Sequence, residues 1–277
     1  LLTKSLVQPV LKMTDDLDHI QENVPYKELI PFAESIHSDR MLRENNEKMR
    51  QEFTANVSHE LKTPLTSISG YAELIENGMA KQEDIPTFGH RIHKEAQRMI
   101  TLVSDILQLS ELDGMSKQQE NSPTADFVPV DLGVLVKDVA TNMTVNARKA
   151  YITLQYKVQP VTVRGSHDLL TELVTNLCDN AIRYNRPGGH VELSCGTNAE
   201  GCPDFCVEDN GIGIPQDSQS RVFERFYRVD KSRSKATGGT GLGLAIVKHI
   251  AVLHGARIDL ESTVGTGTTI RIIFPKM

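Results

Sequence analysis

The chain has 277 residues, 39% hydrophobic and 24% charged, with a net charge of −6 and a pI near 5.9. That length allows about two domains with real cores, and the acid excess leaves no large basic face, which excludes nucleic acid as a main partner. Cys178, Cys195, Cys202 and Cys206 are too few and too scattered for a disulfide framework or a paired zinc site, no run approaches the ~18 apolar residues of a membrane span, and no secretory signal is visible.

In chain order, Leu2, Leu6, Val10, Met13, Leu17 and Ile20 fall at helical spacing around Pro9. After a loop at Pro25, a second amphipathic stretch runs through Leu29, Phe32, Ala33 and Ile36 into a charged segment, Arg43 to Glu52. The chain opens at Leu1 without a methionine and reads as a piece of something longer. On a helix of about 100° per residue, Phe53, Val57, Leu61, Leu65, Ile68, Ala72 and Ile75 share one stripe. His59 lies opposite that stripe, facing water, with Thr63 one turn on. Pro64 lacks the amide that would bond the Glu60 carbonyl, so a bend is expected just after the histidine.

Asn77-Gly78 signals a helix C-cap. A second long helix starts near Glu83, with Ile85, Ile92, Met99 and Ile106 seven apart and Phe88, Leu102 and Leu109 interleaved. One antiparallel hairpin cannot bury both stripes, so a second copy is expected to complete a homodimeric four-helix bundle. Asp113 to Pro129 turns polar and helix-breaking, as a linker does. Beyond it come a helix over 131–150, strands over 151–158 and 161–164, and a helix from an N-cap at Ser166 to Tyr184. Strands at 190–195 and 205–208, a helix over about 241–253 and a hairpin pairing 257–261 with 268–274 complete an α/β sandwich.

Five stretches carry chemistry: SHELKTP (Ser58 to Pro64), NLCDNAIRY (Asn176 to Tyr184), VEDNGIGI (Val207 to Ile214), FERFYR (Phe223 to Arg228) and GGTGLGLAI (Gly238 to Ile246). Asn176, Asn180, Arg183 and Tyr184 lie on one helix face, with Leu169, Leu173 and Leu177 on the other. Asp209 ends a strand and precedes glycines that allow close backbone approach. The last stretch runs from glycines straight into an apolar helix, whose free amides can cradle phosphates. Between them, Arg228 to Thr237 is polar, basic and aperiodic, as a mobile lid would be.

In this order the five stretches resemble the phosphoacceptor and nucleotide-binding boxes of sensor histidine kinases, over roughly Asn45 to the C-terminus. Five ordered boxes are far more specific than a lone glycine motif. The resemblance implies a dimeric all-α bundle followed by the α/β sandwich that this family shares with gyrase, the ninety-kilodalton heat-shock chaperones and mismatch-repair ATPases. It divides the chain into residues 1–44, similar to a degenerate HAMP relay or a coiled-coil lead-in, 45–113 for dimerisation and phosphotransfer, a linker at 114–129, and 130–277 for ATP binding.

The roles that follow by resemblance are residue-specific. His59 is the phosphoacceptor, Glu60 holds its second ring nitrogen, and Thr63 orients water for dephosphorylating a response regulator. Asn180 is the Mg²⁺ ligand, Asn176 and Arg183 contact phosphates, Tyr184 packs near the nucleoside, and Asp209 accepts from the adenine amino group with Gly211 and Gly213 beside it. Phe223 and Phe226 anchor the lid, and Gly239, Thr240, Gly241, Leu242, Gly243 and Leu244 form the phosphate cradle. The other eight histidines, His90, His93, His249 and His254 among them, are expected to be structural or solvated.

The implied activity is autophosphorylation of His59 by ATP and transfer to an aspartate of a cognate response regulator. The implied setting is the cytoplasmic portion of a bacterial inner-membrane sensor. In the wider group a glutamate four residues before the metal asparagine activates water; Asn176 stands there, which disfavours a hydrolytic ATPase. An ATP-binding signalling scaffold without transfer activity is the other alternative.

Overall fold

The computed structural model describes residues 29–117, 127–230 and 239–276. The expected first helix around Pro9, most of the linker and most of the lid lie outside those residues. The chain divides into two compact units, residues 1–63 and 64–277.

Helix α1 (Ile30–Glu76) is unbroken and carries Pro64 in its interior. The proline does not end it; Thr63 Oγ1, one residue earlier, donates to the His59 carbonyl at 3.2 Å. At the far end Gly78 takes a positive φ of 65°, Gly78 N–H bonds the Ile75 carbonyl and Met79 N–H bonds that of Leu74. That pair of bonds is the Schellman arrangement, and Gly78 meets its left-handed demand without steric cost.

Helix α2 (Ile85–Lys117) continues past Gly114, into the stretch expected to be linker. Leu102, Leu109 and Leu112 on it are buried, so packing overrides the helix-weakening glycine. Tyr71 of α1 stacks at a tilt on Phe88 of α2 with centroids 5.2 Å apart, and accepts a hydrogen bond from Arg91.

Strand β1 (Val128–Asp131) pairs antiparallel with β3 (Thr162–Gly165). Asp131 then caps α3 (Leu132–Lys149), its carboxylate accepting from Val134 N–H. The main sheet has five strands in the order β2 (Thr153–Val158), β4 (His190–Thr197), β5 (Pro203–Asp209), β7 (Gly267–Ile273) and β6 (Arg257–Thr263). Only β2 and β4 run parallel. Helix α3 packs on β2 and β4, α4 (His167–Arg183) on β4 and β5, and α6 (Gly243–Leu253) on β6; α5 (Gln216–Gln219) is a single turn. The core between the layers includes Leu170, Leu173, Leu177, Val191, Leu193, Phe205, Ile246, Ile250 and Ile272, all at most 1% exposed. Helix α4 turns Leu170 inward where Leu169 was expected; Leu169 is half-buried.

The expected fold class holds: a helical N-terminal region precedes a mixed α/β sandwich. Helix α6 also packs against α4 and α2. One helix therefore joins the sheet domain to the second helix of the hairpin.

Candidate functional site

In the first unit His59 is exposed on α1, while Glu60 and Thr63 are half-buried. The His59 carbonyl is held by the Thr63 hydroxyl. The imidazole itself faces solvent from a helix 47 residues long.

In the second unit four of the five stretches converge. Helix α4 starts at Ser166, whose hydroxyl accepts from Leu169 N–H, and ends at Tyr184. It presents Asn176, Asn180 and Arg183 at intervals of four and three residues along one side. Asn176 Nδ2 donates to the Glu172 carbonyl at 3.2 Å, which turns its Oδ1 away from the helix. A Cβ placed on Gly243 would lie 2.8 Å from that Oδ1 and 3.6 Å from Asn180 Nδ2. The asparagine pair therefore sits over the N-terminus of α6, at the glycine that opens it.

The other glycines close the same space. Gly239 faces Tyr184 Oη and Arg183, and Gly241, at a φ of 77°, lies against the Phe226 backbone. Phe226 N–H donates to the Gly241 carbonyl at 2.9 Å, and Phe226 itself is held at a φ of 62°. A non-glycine residue in that region is strained and persists only where its surroundings fix it. Arg228 donates to the Thr240 carbonyl at 2.8 Å. Phe223 is half-buried nearby in sequence, and Leu242 is fully buried as the residue preceding α6.

Asp209 ends β5, and its Oδ1 accepts from Gly211 N–H at 2.8 Å. Burial pushes its carboxyl above the usual range, opposed by the backbone donors of Gly211 and Thr268. Gly211 lies against the Tyr184 carbonyl, so the DNGIG turn is pinned to the end of α4. Gly213, at a φ of 70°, approaches the Thr263 carbonyl so closely that a Cβ would stand 2.1 Å away.

The second hairpin helix reaches this cluster through residues that the sequence did not single out. Thr240 Oγ1 donates to Asp105 of α2 at 2.6 Å, and Gln108 Nε2 donates to Glu172 of α4. Burial, then the neighbouring Asp105 charge, pushes Glu172 up to about 7. Asp113 bonds Arg225 at 2.6 Å and lies 3.0 Å from His249 Nε2. His249 is thus a structural ring, as expected, held between Asp113, Arg225 and the Ala245 carbonyl. His254 is the buried structural ring that was expected: Ser166 N–H donates to its Nε2, so its Nδ1 carries the proton and donates to the Ile250 carbonyl. The only signal for the α2 contacts is spacing, since Asp105, Gln108, Leu109 and Leu112 fall on one helix face.

Residues 49–114 match the family described as the His Kinase A (phospho-acceptor) domain. Residues 165–277 match the histidine kinase-, DNA gyrase B- and HSP90-like ATPase family. The chain belongs to the sensor histidine kinases. Its ATPase-like domain supports ATP binding, and its His Kinase A domain implies dimerisation.

The kinase chain is 39% identical over 231 residues to the sensor protein kinase WalK of Staphylococcus saprophyticus, an alignment covering 83% of this chain and 37% of WalK. It is 39% identical over 249 residues to the sensor-like histidine kinase SenX3 of Mycolicibacterium smegmatis, covering 88% of this chain and 62% of SenX3. The solved structure of full-length ShkA in complex with AMPPNP is 27% identical, with a TM-score of 0.56 over 81% of this chain and 45% of that one. The chain therefore spans only part of the longer proteins it matches. Among the described residues, no helix is long and apolar enough to cross a membrane.

Proposed function

We propose that this chain binds ATP between α4 and the N-terminus of α6 and passes its γ-phosphoryl group to His59, and then to an aspartate of a response regulator. The observation that carries the reading is the meeting of Asn176 and Asn180 with Gly243, where side-chain amides and a helix N-terminus face one space. Anionic phosphates suit such a space, because the first amides of a helix lack intrahelical partners. AMPPNP in the ShkA complex supports the same reading.

The donor set also suits Mg²⁺. Among the described residues no group of three or more His, Cys, Asp or Glu could hold a metal ion. Asn180, with Asn176 beside it, offers neutral amide oxygens, which fits an ion that arrives largely coordinated by phosphates and water. Bound there, the ion would neutralise charge on the β- and γ-phosphates.

Arg183 then contacts phosphate, Tyr184 flanks the nucleoside, and Asp209 gives up its Gly211 bond or shares it to accept from the adenine amino group. Gly211 and Gly213 let the turn after Asp209 pack tightly against Tyr184 and Thr263 beside the adenine position, and Phe223 and Phe226 anchor the lid. Gly239, Thr240, Gly241, Leu242, Gly243 and Leu244 contribute backbone to the cradle. In the transfer step neutral His59 attacks through Nε2, an N–P bond forms, and the bond from phosphorus to the ADP oxygen breaks. Glu60 holds Nδ1–H, which fixes the tautomer, and takes that proton as the N–P bond forms. Thr63 orients water in the opposing dephosphorylation of the regulator.

Residues 1–44 relay the signal, 45–113 dimerise and carry the histidine, 114–129 link, and 130–277 bind ATP. The working unit is a homodimer at the cytoplasmic face of a bacterial membrane, held there by sequence beyond these 277 residues; kinship with longer sensor proteins supports this. With γ-labelled ATP and Mg²⁺, the chain should take up label that acid releases and base does not. Steady phosphate release without a phosphoenzyme would replace this reading with a hydrolytic ATPase.

A further inference from the structure

Asp105 belongs to α2, the second helix of the hairpin, yet its carboxylate sits among groups assigned to phosphate. Thr240 donates its hydroxyl to Asp105 Oδ2 at 2.6 Å and also accepts from Leu242 N–H, the residue that leads into α6. The charge of Arg183 draws on the same carboxylate, while Asp179 opposes it. One turn further along α2, Gln108 donates to Glu172, whose backbone carbonyl and side chain both engage the amide of Asn176. Leu109 and Leu112, on the same face of α2, are 0% and 1% exposed, so the helix is seated against this domain by packing as well as by polar contacts.

We propose that Asp105 is an internal stand-in for a nucleotide phosphate, so that α2 seated on the glycine-rich turn and a triphosphate bound there compete for Thr240. Two anions cannot share one hydroxyl donor and one nearby guanidinium in a half-buried site without like-charge repulsion. Binding of ATP therefore loosens α2 from the turn, and a seated α2 weakens ATP; the linkage is reciprocal. Adenosine has no phosphate and leaves the contact intact. The proposal rests on the ATP reading of the site.

The test measures dissociation constants for ATP and for adenosine with the 277-residue chain, its Asp105→Asn variant and its Asp105→Ala variant. Both variants should bind ATP more tightly, by about tenfold for Asp105→Ala, a coupling of ordinary allosteric size; adenosine affinity should not move. In a Leu109→Cys variant, the introduced thiol should alkylate faster with ATP present than with adenosine or nothing. If the parent chain binds ATP and neither Asp105 variant binds it more tightly, the stand-in role is overturned and the ATP site stands. If adenosine affinity shifts as much as ATP affinity, Asp105 only shapes the domain, and the proposal is likewise overturned. If none of the three proteins binds ATP, the site reading and this proposal fall together.

Discussion

Two titratable side chains of the sheet domain pull stability in opposite directions with pH. His254 is buried, stacked on Phe127 at 4.5 Å and satisfied only when neutral, because Ser166 N–H needs its Nε2 lone pair. Burial lowers its pKa below the ordinary 6.5. The unfolded chain then binds the proton more readily, so this contribution is present above pH 6.5 and is lost as pH falls towards the folded value. Glu172 has the reverse sign. Its folded pKa is raised from 4.5 to about 7, so its contribution is present below pH 4.5 and is lost as pH rises to about 7. Melting temperatures from pH 4 to 8 should therefore lose their acid-side fall in His254→Gln, whereas Glu172→Gln should gain stability over the parent above about pH 7. Identical pH profiles for parent and variants would contradict both assignments. At Gly243 a methyl group would crowd Asn176 Oδ1 at 2.8 Å. Gly243→Ala should weaken ATP binding by about tenfold or more, the loss of one well-placed polar contact, with an unchanged circular dichroism spectrum.

At the scale of elements, what could be read from sequence was what is decided locally. Ser166 and Tyr184 bound α4 as expected because capping needs only a neighbouring hydroxyl and the end of an apolar repeat. Gly78 behaved the same way. Strand β1 could not be read, because Pro129 and the polar run before it look like linker and its partner β3 is some thirty residues on. The cleft's own residues sit within recognisable stretches, but Asp105, Gln108 and Asp113 look like the polar side of a bundle helix until the fold brings Thr240, Glu172 and Arg225 to them. Pro64 lies within α1, which runs on to Glu76. The seam residues Ile92, Met99 and Ile106 are half-buried, while Leu109 is fully buried on the helix that packs against α6. Leu109→Ala should cost roughly 2–5 kcal/mol if α2 stays seated on α6, measured by urea unfolding of the chain. A negligible loss would mean that this packing adds nothing to the domain.

At the scale of the whole molecule, the helical hairpin leaves apolar surface uncovered. Ile100, Val103 and Leu107, at intervals of three and four on α2, are 59%, 42% and 61% exposed, and Leu65 on α1 is 56% exposed. A stripe of that kind on a helix signals a missing wall, in keeping with the dimerisation that the phosphoacceptor family implies. Sedimentation should find a dimer for the parent chain and a monomer for the double variant Ile100→Glu, Leu107→Glu; a dimeric variant would place the interface elsewhere. The central claim is that the cleft's phosphoryl group goes to one histidine out of nine. The most direct measurement is incorporation of γ-labelled phosphate into the parent, His59→Gln, and a His90→Gln, His93→Gln variant, with ATP binding measured in each. The account predicts equal ATP binding in all three, acid-labile label in the first and third, and none in His59→Gln. Label retained by His59→Gln would contradict it.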